Sequence, residues 1–345
     1  MKRIGFCYEK LCNEELIKLA IKNAARNKRR RHFVKVVADN PDHYAKEVSR
    51  MLKDKAFTPH EYERVKIYDG IRKKERIISK PIFYPDQVVH WAIYLVIRDW
   101  LYKSFYTFTC GSVPGKGVHF GKKYIERWLV KDRKNTKYYL KLDIYHFYPS
   151  INPHLLIDKL KTKFKDDELI ELLEKILYED DGLPIGMLLS QVFANFYLTD
   201  FDYWVKQELG AKYYIRYMDD IVIFSGNKKE LHQMRVAISD RLQAVEKLRL
   251  KGNWQVCKLE AEPLDFMGFR FLRGRTIIRK SIMLRISRRA RKVGAKKKIT
   301  HKDACAVISY LGWVKASDSH HFYVHRLKPY LNMQKLKAAV RKGTP

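Results

Sequence analysis

Residues 213–225 read YYIRYMDDIVIFS, and this stretch decides the fold. Two runs of bulky and branched residues flank a pair of aspartates, Asp219 and Asp220. Apolar runs of this length favour short strands, so the stretch predicts a β-hairpin with both acids at its tip. An Asp-Asp pair alone more often marks only a turn. Here the flanking runs predict acids at the ends of strands, where functional residues concentrate, rather than in a solvated loop.

A third acid follows a strand of its own. Residues 138–151, YYLKLDIYHFYPSI, begin as a strand that leads directly to Asp143. Neighbouring carboxylates repel each other unless a cation lies between them, so Asp219 and Asp220 imply a metal. Asp143 would complete an oxygen-rich site of the kind that Mg²⁺ prefers if its strand lies beside the hairpin. Two Mg²⁺ ions at such a site serve polymerases and nucleases alike, and these residues do not choose between them.

The charge of the chain indicates a polyanionic partner. The chain has 345 residues, which is enough for two or three subdomains. It contains 70 lysines and arginines and 38 aspartates and glutamates, so its formal net charge is +32. This excess is larger than solubility requires. A basic membrane-surface protein could show it too, but no apolar run approaches the roughly 20 residues that span a bilayer, and nothing resembles a signal peptide. We therefore expect nucleic acid as the partner, no membrane, and a cytoplasmic location in a bacterial or phage setting.

The cysteines and histidines do not suggest a zinc site. Five scattered cysteines without paired C-x-x-C clusters predict reduced thiols: Cys7, Cys12, Cys110, Cys257 and Cys305. His320, His321 and His325 are interpreted as polar contacts on a basic surface.

The chain is predicted to contain three regions. Residues 1–60 form a basic helical extension, in which the run at 28–32, KRRRH, is either a solvated helix face or an RNA contact. Residues 61–275 include a basic hairpin from Val65 to Ile82 and a buried helix from Gln87 to Tyr102. A helix through Trp128 and a second buried helix within 182–202 follow. From about residue 276 acidic residues almost vanish, which predicts a basic helical region over 276–345.

The ordered motifs resemble those of reverse transcriptases. The series, which covers roughly residues 65–271, is IRKKERIISKPIFYPDQ, TFTCGSVPGKGVHFG, YYLKLDIYHFYPSI, GLPIGMLLSQVFANFYL, YYIRYMDDIVIF, LKGNWQVCKL and LDFMGFRF. The resemblance implies an α+β right-hand polymerase with fingers, a palm whose antiparallel sheet carries the aspartates, and a helical thumb over 276–345. It implies an RNA-directed DNA polymerase that uses two Mg²⁺ ions, with Mn²⁺ able to substitute.

One motif narrows the resemblance. Most reverse transcriptases have QGxxxSP in the fourth motif, whereas this chain has Ile185, Gly186, Ser190 and Gln191 in the form IGxxxSQ. This form resembles reverse transcriptases of diversity-generating retroelements, and KGNWQV together with the lack of an appended maturase or endonuclease region agrees with them. The resemblance implies error-prone copying of a template-repeat RNA at adenines, mutagenic retrohoming of the cDNA, and a small basic accessory protein.

The resemblance also implies roles for single residues. Asp143 and Asp219, with Asp220 beside them and the backbone carbonyl of Ile144, would bind the metal ions. Tyr148, five residues after Asp143, would stack under the sugar and exclude a 2′-hydroxyl, with Phe147 as the alternative gate.

Other positions would contact the nucleotide. Arg76 in the fingers hairpin suits the triphosphate because its guanidinium is planar, and Lys74 is the weaker candidate. Ile185 and Gln191 would lie near the incoming nucleotide and template. Lys251 and Lys258 remain rival candidates for protonating pyrophosphate. The partners would be template RNA, the cDNA/RNA hybrid and deoxynucleoside triphosphates.

Three alternatives stay open. The polymerase could belong to a retron, a group II intron derivative or an antiphage system, although IGxxxSQ counts against this. A catalytically idle RNA-binding scaffold is disfavoured, because a carboxylate cluster without metal would repel RNA phosphates. A nuclease has no need of a tyrosine gate or a fingers hairpin.

Overall fold

The computed structural model describes residues 3–69 and 74–341. The chain divides into two compact units, each assembled from three separate segments. The first unit comprises Met1–Val113, Leu142–Gly210 and Met234–Asn253, and the second comprises Pro114–Lys141, Ala211–Gln233 and Trp254–Pro345. Neither unit is therefore a continuous piece of the sequence.

The first unit begins with four helices, as the sequence predicts: α1 (Cys7–Leu11), α2 (Glu14–Ala25), α3 (His32–Asp39) and α4 (Pro41–Lys53). Asn13 caps α2, since its side chain accepts a hydrogen bond from the Leu16 backbone N–H. The buried residues of α2, such as Ile17 and Ile21, recur at intervals of three and four and form one apolar face. This face packs on α4 and on the long helix α5 (Val88–Ser104).

A basic hairpin follows the helices. Strands β1 (Glu63–Asp69) and β2 (Lys74–Lys80) pair antiparallel, with Glu63 opposite Lys80 and Ile67 opposite Arg76. The paired strands confirm the predicted hairpin. The sequence also predicts its turn around Asp69 and Gly70, and residues 70–73 lie outside the described residues.

The predicted buried helix is also present. A short π-helix (Phe83–Gln87) leads into α5 (Val88–Ser104), which buries Val88, Ile93 and Ile97. The remaining elements of the first unit are β3 (Thr109–Cys110), α7 (Phe147–Ser150), α8 (Pro153–Lys163), α9 (Asp167–Leu177), α10 (Leu188–Tyr197) and α11 (Thr199–Gln207). Helix α10, the predicted buried helix within 182–202, packs against α5 and α8.

The second unit contains the strands that decided the fold. Its elements are α6 (Val118–Lys131), β5 (Tyr213–Tyr217), β6 (Asp220–Ser225) and β7 (Gln255–Lys258). Strand β4 (Tyr138–Asp143) begins in this unit, and its last two residues, Leu142 and Asp143, belong to the first unit. Helix α12 (Lys228–Ala244) likewise starts here and ends in the first unit. Four strands follow one another in the order β5-β6-β4-β7. Strands β5 and β6 are antiparallel, as are β4 and β7, where Tyr138 is opposite Lys258 and Lys141 is opposite Gln255.

The second unit ends in a small sheet and helices. Strands β8 (Leu264–Phe266), β9 (Phe269–Leu272) and β10 (Arg275–Ile278) form an antiparallel sheet of order β10-β9-β8. The helices are α13 (Lys280–Gly294), α14 (His301–Lys315), α15 (His320–Arg326) and α16 (Met333–Arg341), with a 3₁₀ turn at Lys328–Tyr330. The boundary that composition predicts near residue 276 falls inside β10. The strand has the sequence RTII, without acidic residues, so its composition does not distinguish it from the basic region that follows.

Helices and antiparallel strand pairs together confirm the predicted α+β class. Within the described residues, no helix is both long and apolar enough to cross a membrane.

Candidate active site

The paired aspartates lie at a tight hairpin turn in the second unit. Tyr217 pairs with Asp220, which leaves Met218 and Asp219 as the two turn residues. Met218 has a φ of 56°, and a positive φ at the first turn residue is common to the favoured two-residue hairpin turns. Asp219 and Asp220 are half-buried. The prediction of a hairpin with acids at its tip is therefore confirmed, with Asp220 as the first residue of β6.

A buried arginine supports this turn, and the sequence reasoning missed it. Arg216 is fully buried in β5, and its Nη1 donates a hydrogen bond of 2.9 Å to the carbonyl oxygen of Met218. The bond ties the strand to the turn that carries Asp219. The available signal was a single basic residue in the otherwise apolar run YYIRY. A buried charge is retained only where specific bonds compensate its desolvation.

Asp143 lies where β4 ends, and its local partner is a second segment of the first unit. The Lys251 backbone N–H donates to the Asp143 carbonyl at 2.8 Å, and the Tyr145 N–H donates to the Arg249 carbonyl at 2.7 Å. Between these bonds Ile144 forms an antiparallel bridge with Leu250. The backbone on both sides of Asp143 is therefore fixed by residues about 105 positions later in the chain, an interval that no local pattern reveals.

The Asp143 carboxylate is engaged by a lysine. The Nζ atom of Lys251 lies 2.5 Å from Asp143 Oδ1, and both side chains are about one-quarter exposed. Lys258, its rival for the role of general acid, is opposite Tyr138 at the far end of β4 and is exposed. Geometry therefore brings Lys251, and not Lys258, to an acid of the predicted site.

The donors suit a hard divalent cation. Carboxylate and carbonyl oxygens are the ligands that Mg²⁺ prefers. The Lys251 ammonium lies beside Asp143, where a positively charged metal ion would also be favoured. In the described part of the chain, no three His, Cys, Asp or Glu side chains form a group that could hold a metal ion. A metal bound at Oδ1 of Asp143 would compete with the Lys251 ammonium for this oxygen.

The two aromatic gate candidates differ in accessibility. His146, with a φ of 43°, turns the chain into the short helix α7, where Phe147 is buried and Tyr148 is half-buried. The Tyr148 carbonyl accepts a hydrogen bond of 2.9 Å from the Leu183 N–H, which connects this turn to the segment before α10. Of the two, Tyr148 is the side chain that a nucleotide could reach.

The IGxxxSQ segment is held against the fingers hairpin. The Ser79 backbone N–H donates 2.8 Å to the carbonyl oxygen of Ile185, whose side chain is half-buried. Gly186 has a φ of +115°, and a Cβ placed there would lie 2.7 Å from the Ser79 carbonyl oxygen and 2.6 Å from Ile78 Cγ2. Only glycine allows this close approach.

The other residues of this motif have different surroundings. The exposed Gln191 accepts a hydrogen bond of 3.1 Å from the Ser112 hydroxyl. Ser190 is buried, and its Oγ has no hydrogen-bond partner among the described residues. Arg76 is exposed on β2. Lys74 is the first residue of β2.

Similar proteins are found among curated sequences and among solved structures. Among curated proteins, the chain is 26% identical over 212 residues to the group II intron-encoded protein LtrA of Lactococcus lactis subsp. cremoris, covering 58% of this chain and 34% of that protein. It is 31% identical over 115 residues to the retron Ec73 reverse transcriptase of Escherichia coli, covering 29% of this chain and 36% of that protein. The chain thus spans about a third of the length of these relatives.

Among solved structures, telomerase from Candida albicans in complex with a TWJ fragment of telomeric RNA gives a TM-score of 0.49 at 11% identity, covering 84% of this chain and 61% of that chain. Apo telomerase from Candida tropicalis, truncated from its C-terminal domain, gives a TM-score of 0.47 at 13% sequence identity, covering 66% of this chain and 58% of that chain.

A family model identifies the domain. The model described as reverse transcriptase (RNA-dependent DNA polymerase) matches residues 70–271, more than half of the chain. The match spans Asp143, the Met218–Asp219 turn and Lys251. The chain therefore belongs to the reverse transcriptase family and carries the α+β polymerase domain of an RNA-directed DNA polymerase.

Proposed function

We propose that this chain copies RNA into cDNA at a two-Mg²⁺ site formed by Asp143, Asp219 and Asp220 with the carbonyl of Ile144. The observation that carries the proposal is the placement of the acids at strand ends, Asp143 closing β4 and Asp219 in the turn that leads into β6, the strand next to β4. Cations held by these residues would neutralise negative charge on the triphosphate and would lower the pKa of the attacking hydroxyl.

The protein side chains divide the remaining work. Arg76 binds the triphosphate, and Lys74 assists it. Tyr148 stacks under the sugar and leaves no room for a 2′-hydroxyl. Lys251, which neutralises Asp143 before substrate binds, transfers its proton to the departing pyrophosphate.

We further propose that the enzyme is error-prone and acts in a diversity-generating retroelement, copying a template-repeat RNA with frequent errors at adenines for mutagenic retrohoming. A polar glutamine at position 185 could hydrogen-bond near the nascent base pair, whereas isoleucine offers only shape and apolar contact. A mispaired nucleotide consequently loses less binding energy here. The hydrogen bond from the Ser79 N–H to the Ile185 carbonyl fixes the backbone at position 185. The Ile185 residue lines a cavity of about 260 Å³ together with Ser79 and Pro149.

The test is to sequence cDNA made by the wild type and by Ile185→Gln on one template containing all four bases. If a hydrogen bond supplies about 1 kcal/mol of selectivity, the variant should misincorporate about fivefold less often. Errors in the wild type should concentrate opposite adenine. Accurate copying by the wild type would remove the mutagenic assignment and leave an ordinary reverse transcriptase, such as one from a retron or a group II intron.

The same proposal specifies the surroundings of the enzyme. It acts in a bacterial or phage-infected cytoplasm, on template RNA and the cDNA/RNA hybrid, with a small basic accessory protein of the retroelement. The net charge of +32 suits these partners, because cationic surfaces gain affinity from the counterions that phosphates release.

A further inference from the structure

The loop between α9 and α10, residues 178–187, connects the fingers hairpin to the turn that carries Tyr148. The Leu183 N–H of this loop donates a hydrogen bond of 2.9 Å to the Tyr148 carbonyl, and its Ile185 carbonyl accepts one of 2.8 Å from the Ser79 N–H of β2. Strand β2 is proposed to hold the triphosphate, and Tyr148 is the proposed sugar gate. The α9–α10 loop therefore links the two elements that would hold different parts of one nucleotide.

A glycine shows how closely this loop packs on the gate turn. A Cβ placed at Gly182 would meet the carbonyl group of Pro149, with only 2.6 Å to the carbonyl carbon. Pro149 directly follows Tyr148 in α7. The atoms in contact belong to the backbone on both sides, so they cannot give way as the end of a flexible side chain could. A displacement of the loop would consequently be transmitted to the turn.

An ion pair joins the same loop to the other strand of the hairpin. The Nη2 atom of Arg64, on β1, donates a hydrogen bond of 2.6 Å to Oδ1 of Asp180. The Arg64 side chain is 62% exposed, whereas that of Asp180 is only 20% exposed. The second carboxylate oxygen of Asp180, Oδ2, is buried and has no hydrogen-bond partner in the part of the chain that the structure describes.

The neighbours of Asp180 make this ion pair important for the loop. Asp180 stands between two exposed acids, Glu179 and Asp181, whose charges repel its own. Without the Arg64 guanidinium, Asp180 would keep a partly buried charge and two acidic neighbours. Such a charge is unfavourable away from water, so the loop would move to expose it.

The space between hairpin, loop and turn is not filled by side chains. The cavity of about 260 Å³ is lined by Arg64, Ile77 and Ser79 of the hairpin, by Pro149 and by loop residues 180–185. Atoms that face a cavity lack the dispersion contacts that would otherwise fix the distance between the elements. The distance therefore depends on the hydrogen bonds around the cavity, and substitution can remove the one between Arg64 and Asp180 without touching the backbone.

From this arrangement we infer that the Arg64–Asp180 ion pair determines sugar selectivity by holding the fingers hairpin and the Tyr148 gate at one distance. A nucleotide whose triphosphate is bound by the hairpin then has its sugar against Tyr148, with no room for a 2′-hydroxyl. Arg64 and Asp180 are positioning residues that act through Tyr148. The inference rests on the proposed function, and Arg64 lies outside residues 70–271, which match the family model.

The test measures incorporation of dCTP and CTP by the full chain at saturating Mg²⁺ on one primer–template. The selectivity is the ratio of kcat/KM for dCTP to kcat/KM for CTP. Arg64→Ala and Asp180→Ala should each lower this ratio about fivefold, the upper range for a partly exposed ion pair. The kcat for dCTP should stay near the wild-type value, because neither residue is placed at the reacting atoms.

A charge exchange and a matched control separate this role from a general effect on folding. The variant Arg64→Asp/Asp180→Arg should recover most of the wild-type ratio, whereas each reversal alone should lower it at least as far as alanine does. Lys66→Ala removes a cation from the same strand. Lys66 pairs with Glu75 across the hairpin at 3.0 Å, so its loss should leave the ratio unchanged. An equal loss in Lys66→Ala, or an exchange variant that recovers nothing, would overturn the inference.

A double variant shows whether the ion pair acts through the gate. Tyr148→Ala/Arg64→Ala should have the same ratio as Tyr148→Ala alone, because residues that act through one contact do not contribute additively. If Tyr148→Ala keeps the wild-type ratio, it is the proposed gate that fails. If Tyr148→Ala lowers the ratio while Arg64→Ala does not, or if the two losses multiply in the double variant, the gate stands and the inference fails.

Discussion

Replacement of Lys251 would test two roles of this residue separately. One is its competition with Mg²⁺ for Asp143, and the other is its proposed transfer of a proton to pyrophosphate. Because Nζ lies 2.5 Å from Oδ1, a Mg²⁺ ion would compete with the ammonium for this oxygen. Both side chains are about one-quarter exposed, so solvent screens the pair and its contribution is about 1 kcal/mol. Lys251→Ala should therefore lower the Mg²⁺ concentration for half-maximal activity about fivefold, the factor that this free energy represents.

The second role acts on the chemical step. If Lys251 protonates pyrophosphate, Lys251→Ala should lower the rate of single-nucleotide incorporation at saturating Mg²⁺ by about 10² to 10⁴, the usual contribution of a general acid. Lys251→Arg keeps the positive charge beside Asp143, but the guanidinium cannot release its proton. This variant should therefore show the wild-type Mg²⁺ requirement but not the wild-type rate.

The assay is rapid-quench incorporation of one nucleotide over a titration of Mg²⁺. Lys258→Ala is the matched control, since Lys258 lies opposite Tyr138, and its rate and Mg²⁺ requirement should stay close to those of the wild type. A Lys251→Ala enzyme with the wild-type rate and the wild-type Mg²⁺ requirement would refute both roles.

Three further substitutions test the site. Asp219→Asn should abolish primer extension while RNA binding stays near the wild-type value, and extension at the wild-type rate would contradict the metal proposal. Tyr148→Ala should raise incorporation of ribonucleotides relative to deoxyribonucleotides, whereas an unchanged ratio would leave the buried Phe147 as the gate or Tyr148 as a core residue. Gly186→Ala should lower the free energy of unfolding by about 2 kcal/mol, because alanine disfavours a φ of +115° and its Cβ meets the Ser79 carbonyl. Urea denaturation measures this loss, and Gly117→Ala, where no atom lies within 4 Å of the added Cβ, should show much less.

The sequence predicts elements whose signal is local. Two short apolar runs and the acids between them predict β5, β6 and their turn, because strand pairing across two residues depends only on neighbours in the chain. The continuous apolar surface of α5 likewise predicts burial without knowledge of its partners.

Contacts between distant segments could not be predicted in this way. Lys251 and Lys258 are equivalent in the sequence, and it is the backbone pairing of Asp143–Tyr145 with Arg249–Lys251 that brings Lys251 to Asp143. The small sheet of β8, β9 and β10 was missed because its strands have only three or four residues, too few for a periodic pattern. Its last strand, β10, crosses the proposed boundary at residue 276, so a truncation there would remove most of one of the two strands that pair with β9.

The interleaving of the two units has a consequence for synthesis on the ribosome. The first unit begins at the N-terminus but is completed only by Met234–Asn253. Until Leu250 and Lys251 emerge, the nascent chain holds Ile144 and Asp143 without the backbone partners that later fix them. Domains usually fold in the order in which they are made, but here both units must wait for late segments. Premature termination before residue 234 would consequently release a chain with neither unit complete, a substrate for chaperones and proteases rather than a smaller enzyme.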